Sequence, residues 1–305
     1  MAVPDAPPEG RRRERLRLIG ARARGAYVRA QRRRVRDRTL ARLIADSEPT
    51  VAAVGRALTA ASAAPEAPEQ AWIDRIEGLR AELGRSDEVI RSTRSTWSGE
   101  PADGARVRRS PVARLALEAS KPERWGRVLL HLARELDARR ALELGTCVGL
   151  STAYQAAGLE LAGGAGRLVT LEADPSRVEL ALANLERLGL AARVEARAGR
   201  FEETLDPALH GAGEVDFAFV DGHHQLGPTL DYFERVTARL RRPGVILLDD
   251  ITWSKGMQRA WARIAADQRV LLTVDLHGLG LCVVDRGATG ASRPAARSAS
   301  VFLHP

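Results

Sequence analysis

Glu143-Leu144-Gly145-Thr146-Cys147-Val148-Gly149-Leu150-Ser151 leads out of a short apolar strand, read over 141–144, into a helix that begins near Ser151. Glycines at a strand-to-helix turn let the backbone approach a ligand closely, and ligands of open α/β sheets sit beyond the carboxyl ends of the strands. The spacing is not G-x-G-x-x-G, the tighter loop used to read nucleotide phosphates. Instead a glutamate stands two residues before the first glycine, and the second glycine follows four residues after it.

Working outward from this loop, further strands are read over 167–171, 193–196, 215–220, 245–248, 270–274 and 281–284. Helical periods separate them over 151–161, 175–188, 202–209, 229–240 and 255–266. Such alternation means a parallel sheet with helices on both faces. Residues 277–280 are too few for a crossover, so the last two strands form an antiparallel pair. The expected fold class is therefore α/β, a doubly wound seven-stranded sheet with an antiparallel last strand, preceded by an N-terminal helical region.

That region is read as one helical run over 11–61, broken by Ala-Pro-rich sequence at 62–68, then a second run over 72–83 with Ile73, Ile76, Leu79 and Leu83 on one face. Polar residues 91–104 read as a loop, and a helix is expected over 122–136. The expected organisation is residues 1–110 as an arginine-rich helical region with linker, 111–287 as the α/β domain and 288–305 as a tail. On this reading the downstream domain folds without residues 1–60.

The formal net charge of +8 is not spread over the chain: residues 1–50 hold 14 arginines against 6 acids, and the remainder balances. A basic arm can neutralise phosphates or an anionic surface, although charge runs are more often solvated faces. Three uses stay open for it: completing an acceptor pocket, forming a homodimer, or binding a partner. Cys147 and Cys282 are the only cysteines, each in an apolar run, which argues against a disulfide scaffold or zinc site and for a reducing compartment. No apolar stretch of ~20 residues offers a membrane span. Asp5, Glu9, Glu14 and Asp37 interrupt the acid-poor pattern of a transit peptide, so the cytoplasm is the expected location.

The strand tips carry the acids. Glu172 follows the second strand, about where a carboxylate can accept hydrogen bonds from ribose hydroxyls. The fourth strand delivers Asp221-Gly222-His223-His224 and the fifth delivers Asp249-Asp250 with Trp253 close behind. Three carboxylates at the ends of adjacent parallel strands repel one another unless a cation or protons offset them. Oxygen donors without cysteine favour Mg²⁺, Ca²⁺ or Mn²⁺ over zinc. The plainer alternative makes Asp249 or Asp250 a helix cap.

Taken in order, Glu143-x-Gly145, Glu172, Phe219-Val-Asp221 and Asp249-Asp250-x-x-Trp253 resemble the metal-dependent O-methyltransferases of the catechol and caffeoyl-coenzyme A type, with bacterial antibiotic-sugar O-methyltransferases as more distant relatives. The likeness covers about 119–286 and does not extend to the arginine-rich arm. It implies a class I, Rossmann-like domain using S-adenosylmethionine. It also implies a cofactor site at Glu143, Gly145, Thr146, Gly149, Ser151, Glu172, Gly199, Arg200 and Asp221, with Gly199 and Arg200 beside the adenine. Asp221, Asp249 and Asp250 are implied as metal ligands gripping two oxygens of a vicinal diol or catechol. Catechol-type members have asparagine where Asp250 stands, so this site is more acidic.

The family's base is a lysine at the position of His224, or an acid at that of His223 in some sugar-methylating members. Either imidazole can accept a hydroxyl proton near neutral pH. The segment Ala119-Ser120-Lys121-Pro122-Glu123-Arg124-Trp125-Gly126 resembles the family's lead-in over cofactor and substrate. Lys121, Trp125 and Trp253 thus become candidate substrate contacts. The expected acceptor is a hydroxyl of a small molecule. RNA ranks behind it because the catalytic part carries little net charge and no aromatics interleaved with basic residues. A cofactor-binding module without turnover is the third reading.

Overall fold

The computed structural model describes residues 9–92, 108–287 and 297–303. The first helical run is two helices, α1 (Glu9–Ile44) and α2 (Pro49–Ser62). Local chemistry makes the break: Asp46 accepts a bond from Glu48 N at 2.9 Å, and Glu48 caps α2 by accepting from Thr50 N at 3.2 Å. Pro49 sits in the first turn of α2, where a missing N–H costs nothing. In α3 (Ala67–Leu83) the four residues expected on one face are all buried.

β1 (Val89–Ser92) pairs antiparallel with β2 (Arg108–Pro111), and most of the loop expected over 91–104 lies outside the described residues. Next come α4 (Val112–Arg114), a π-helical turn over Leu115–Ala119, and α5 (Glu123–Glu135).

From there the chain alternates through β3 (Arg140–Leu144), α6 (Leu150–Leu161), β4 (Arg167–Glu172), α7 (Pro175–Leu188), β5 (Val194–Ala198) and α8 (Phe201–Ala212). It continues with β6 (Val215–Val220), α9 (Leu226–Arg239), β7 (Leu240–Leu248), α10 (Lys255–Ala265), β8 (Val270–Asp275), β9 (Gly280–Val284) and β10 (Arg297–Ser300). The sheet order is β10-β8-β9-β7-β6-β3-β4-β5, and β9 alone runs antiparallel to its neighbours. The order reverses between β3 and β6, the switch point at which open α/β sheets bind ligands.

Strand residues alternate between two apolar layers. Ala141, Phe217, Phe219, Val245 and Leu247 join the layer that includes α2, α3, α5 and α6, while Leu142, Leu144, Ala218, Val220, Ile246 and Leu248 face α8, α9 and Ile264 of α10. With both faces covered, β6 is buried along its whole length.

The sheet has one strand more than the seven expected. Residues 297–300, inside the stretch read as a tail, lie parallel to β8, anchored by the buried Val301 and Leu303. The sequence Arg-Ser-Ala-Ser has no apolar alternation, so pattern alone does not mark it as a strand.

Packing is continuous across residue 110. Val54 and Leu58 of α2 and Ile76 of α3 share one core with Leu129 and Leu132 of α5. Folding of residues 111–287 without residues 1–60 therefore does not follow from the structure, because deleting α2 would uncover α5.

A buried ionic knot fastens these helices. Arg127 on α5 donates from Nε to Glu69 Oε1 at 2.9 Å and from Nη2 to the Ala63 and Ala60 carbonyls, and His131 Nε2 lies 3.0 Å from the same Glu69 oxygen. Burial alone would raise the Glu69 pKa, but His131 and Arg127 hold it below the ordinary carboxylate value. A lowered carboxylate contributes stability above its unfolded pKa and loses it as pH falls through the folded one. Glu69→Ala, which strands the Arg127 charge, is expected to cost about 3 kcal/mol or more in denaturant unfolding at neutral pH, with the deficit shrinking on acidification.

Candidate active site

Sheet hydrogen bonds carry the loops to a common edge. Asp221 N donates to Leu144 O and Asp249 N to Val220 O, each at 2.9 Å, so the tips of β3, β6 and β7 advance in step. Gly145 N donates to Leu171 O at 2.9 Å, tying in β4. At Gly145 the backbone has φ +107°, and a Cβ there would stand 2.1 Å from the Asp221 carbonyl oxygen, so the position admits only glycine.

These tips enclose a cavity of about 310 Å³. Of the residues expected at the site, Gly145, Glu172, Arg200, Asp221, His223, His224, Asp249, Asp250, Trp253 and Lys121 line it.

The others stand behind it. Glu143 is fully buried and accepts bonds from Thr152 Oγ1, Gln155 Nε2 and Thr170 Oγ1 at 2.5, 2.7 and 2.7 Å, bracing α6 against β4, and burial raises its pKa. Thr146 is buried against Thr170 at 2.6 Å, Ser151 is buried on α6, and Gly149 is the left-handed N-cap of that helix. Gly199 ties the end of β5 to β4 through Glu172 O at 2.9 Å. Trp125 packs against the core with the Arg124 guanidinium 5.3 Å from its ring centroid.

At the β4 end of the cavity, Glu172 Oε2 accepts from Cys147 N at 3.0 Å and Oε1 from Asp174 N at 3.1 Å. Burial raises the Glu172 pKa, opposed by Arg177, whose Nη1 lies 4.0 Å away. Phe201, which directly follows Arg200 in the stretch read beside the adenine, lines the cavity too, as do Arg177 and Cys147, which the sequence did not single out as site residues. Arg177 and Phe201 stand in the first turns of α7 and α8, the helices that follow β4 and β5, and that placement at the carboxyl edge is the signal that could have found them.

At the other end Asp221, His224 and Asp249 each present a ligand atom, all within 4.8 Å of one another. His224 Nε2 lies 3.6 Å from Asp221 Oδ1 and 3.9 Å from Asp250 Oδ2. Burial and the Asp249 charge raise the Asp221 pKa, against the pull of Lys121, and the same two causes raise that of Asp250. Burial lowers the His224 pKa, against the raising influence of Asp249 and Asp250.

Lys121, entering from the turn before α5, forms an ion pair with Asp249, and its Nζ lies 3.7 Å from Asp221 Oδ2. Burial alone would lower the Lys121 pKa, but Asp221 and Asp249 drive it upward.

His223 turns the other way: its Nδ1 is 2.5 Å from Tyr232 Oη, which donates to Glu202 Oε1 at 3.2 Å, and Phe201 meets its ring edge-on at 5.6 Å. His223, His224 and Asp250 have φ of +61°, +29° and +53°, left-handed values that side-chain-bearing residues keep only where the surroundings impose them.

A family described as a methyltransferase domain matches residues 142–251. The chain is 38% identical over 164 residues to a catechol O-methyltransferase of Mycobacterium tuberculosis, covering 53% of this chain and 71% of that protein. It is 37% identical over 126 residues to a catechol O-methyltransferase of Niastella koreensis, where the match spans 41% of this chain and only about half, 54%, of the relative. Cofactor-bound Rv0187 from MTB shares the fold at a TM-score of 0.53 and 23% identity, over 73% of this chain and 99% of that one. No described helix is long and apolar enough to cross a membrane. With the loop at Gly145, the acid at Glu172 and the carboxylate tips of β6 and β7 at one sheet edge, the chain belongs to the class I S-adenosylmethionine-dependent O-methyltransferases of the catechol and caffeoyl-coenzyme A type.

Proposed function

We propose that this enzyme methylates one hydroxyl of a small vicinal diol or catechol-like acceptor with the help of a divalent cation. The observation that carries this reading is one cavity with two chemically different ends: Glu172 at one, and Asp221, His224 and Asp249 at the other. Two relatives of this chain are named as catechol O-methyltransferases, which supports the acceptor class.

The donor set fits a hard cation. Asp221 and Asp249 offer carboxylate oxygens and Asp250 adjoins them, while His224, within reach of the same cluster, keeps its ring nitrogen for the proton; a lysine ammonium already lies among these groups, so the cluster demands positive charge. Bound there, a divalent cation supplies Lewis acidity that makes an acceptor hydroxyl easier to deprotonate.

S-adenosylmethionine, the methyl donor, fits the other end. Glu172 would accept hydrogen bonds from the ribose hydroxyls, its carboxylate fixed by the two backbone amides, and Gly145 would leave room for close approach. Arg200 and Phe201, which line that end, would border the adenine. Glu143, Thr146, Gly149, Ser151 and Gly199 shape the loops from behind, while Trp253 stands at the mouth on the acceptor side.

Within the site His224 accepts the hydroxyl proton at Nε2, the nitrogen that faces Asp221 and Asp250. Burial lowers its pKa, which favours the neutral ring that is able to take a proton. The freed oxygen lone pair forms the bond to the methyl carbon as the carbon–sulfur bond breaks, leaving S-adenosylhomocysteine. Positioning and electrostatics account for most of the acceleration.

Asp249→Ala and chelation should each abolish turnover on a vicinal dihydroxy acceptor while S-adenosylhomocysteine affinity, read by calorimetry, stays nearly unchanged; activity that survives both would remove metal assistance. Glu172→Ala should weaken S-adenosylhomocysteine binding by about 1–3 kcal/mol through lost hydrogen bonds, and undiminished affinity would take Glu172 out of the cofactor site. For His224→Ala a rate loss of about 10²–10⁴-fold is expected. Since the neutral ring is the active form, the acid limb of the wild-type pH–rate profile should lie below the ordinary imidazole value of 6.5 and vanish in this variant. If His223→Ala alone gives that result, His223 is the base.

A further inference from the structure

Lysine is rare in this protein. Lys121 and Lys255 are the only two in the sequence, and every other basic position among 47 lysines and arginines is arginine. One of the two is exposed on α10, and the other is partly buried against the acidic tips of β6 and β7.

The two cations differ in ways that suit this place. Arginine is a broad planar fork with fixed donor directions, whereas the lysine ammonium is a compact point charge on a flexible stem. The Lys121 Nζ touches Asp249 and lies 3.7 Å from Asp221, the same two carboxylates that, with His224, form the cluster able to hold a metal ion.

The backbone of Lys121 is anchored from another part of the chain. Arg80 on α3 donates from Nη2 to Lys121 O at 2.6 Å and from Nη1 to Ala116 O at 2.9 Å, and its Nε pairs with Glu77 at 2.9 Å. Glu77 in turn accepts from Tyr154 Oη of α6 at 2.8 Å. The main chain is thereby pinned, and only the four-carbon side chain is left to move.

We propose that Lys121 is a built-in cation that occupies the carboxylate site when no divalent ion is bound and has to leave it when one arrives. This rests on the metal-assisted reading above and deepens it. Two cations cannot share the space between Asp221 and Asp249, so metal binding carries the cost of breaking the Lys121 ion pair. The benefit falls to the metal-free enzyme, in which two adjoining carboxylates would otherwise lie buried without compensation.

Two measurements on the full chain test this. In calorimetry with Mg²⁺, Lys121→Met should bind at least about tenfold more tightly than wild type, since the competing charge is gone. In the wild type, lysine labelling by reductive methylation, followed by peptide mass spectrometry, should be slow at Lys121 in EDTA and faster with saturating Mg²⁺, with the exposed Lys255 as an unchanging reference.

A wild type that binds Mg²⁺ and a variant that binds it no more tightly would overturn the proposal alone, as would a Lys121 that labels in EDTA as fast as Lys255. Absence of Mg²⁺ binding by both proteins would overturn this proposal together with the metal-assisted reading. Should the variant fail to fold, the labelling of the wild type decides by itself.

Discussion

Everything at the active edge depends on the need to compensate carboxylates that the sheet brings together. Asp221 and Asp249 end neighbouring parallel strands, and the bonds from their backbone amides to Leu144 O and Val220 O fix their mutual position through the register of β3, β6 and β7. Strand register is set by the apolar layers on both faces of the sheet, since a slip of one residue would turn Phe217 and Phe219 out of one layer and into the other. The charge cluster is thus imposed by the hydrophobic core. Side chains cannot relax away from it without unpairing the sheet, and compensation has to come from protons, from His224, from Lys121 or from a bound cation.

The N-terminal helices take part in that compensation through the fold rather than through charge. None of the site contacts involves the arginine-rich α1 among the described residues. The connection runs through α3: Glu77 and Arg80 link Tyr154 on α6 to the carbonyls of Ala116 and Lys121. The Glu69, Arg127 and His131 knot holds α3 and the end of α2 on α5, the helix that starts just after Lys121. A segment that reads in sequence as an appendage therefore shapes the wall of the cavity.

Much of this was legible in the sequence because the signals are short in range. The strands over 141–284 announce themselves as apolar runs between glycines and helical periods, and an acid directly after a buried strand has to lie at the carboxyl edge, so Glu172, Asp221 and Asp249 could be placed without coordinates. What could not be read depends on contacts between distant elements. Glu143 looked like a cavity residue, but Thr152, Gln155 and Thr170 converge on it from α6 and β4 and fully bury it. The break at Asp46 and Glu48 is a side-chain capping event inside a helical composition. β10 forms because Val301 and Leu303 find a site on the core, not because residues 297–300 favour a strand. The two adjacent histidines looked equivalent; the left-handed turn that carries both sends one to Tyr232 and the other to the aspartates.

The presence of Asp250 ties these points together. The resemblance to catechol-type enzymes puts an asparagine at that position, so this site carries one more carboxylate than theirs. A lone additional anion beside Asp249 raises the energy of every charged form of the cluster, which is why burial and Asp249 push the Asp250 pKa upward. Lys121 supplies one positive charge on the same side of the cavity, and the His224 ring lies 3.6 Å from Asp221 Oδ1 and 3.9 Å from Asp250 Oδ2, its pKa lowered by burial against the pull of Asp249 and Asp250. On the metal-assisted reading proposed above, the total charge of this site would be matched in more than one way: by lysine alone, as in the ion pairs seen here, or by metal with a displaced lysine nearby. Under the proposed exchange such a cluster would stay compensated without a metal, and its affinity for a cation would be set by the difference between two compensated states rather than by the attraction of bare carboxylates.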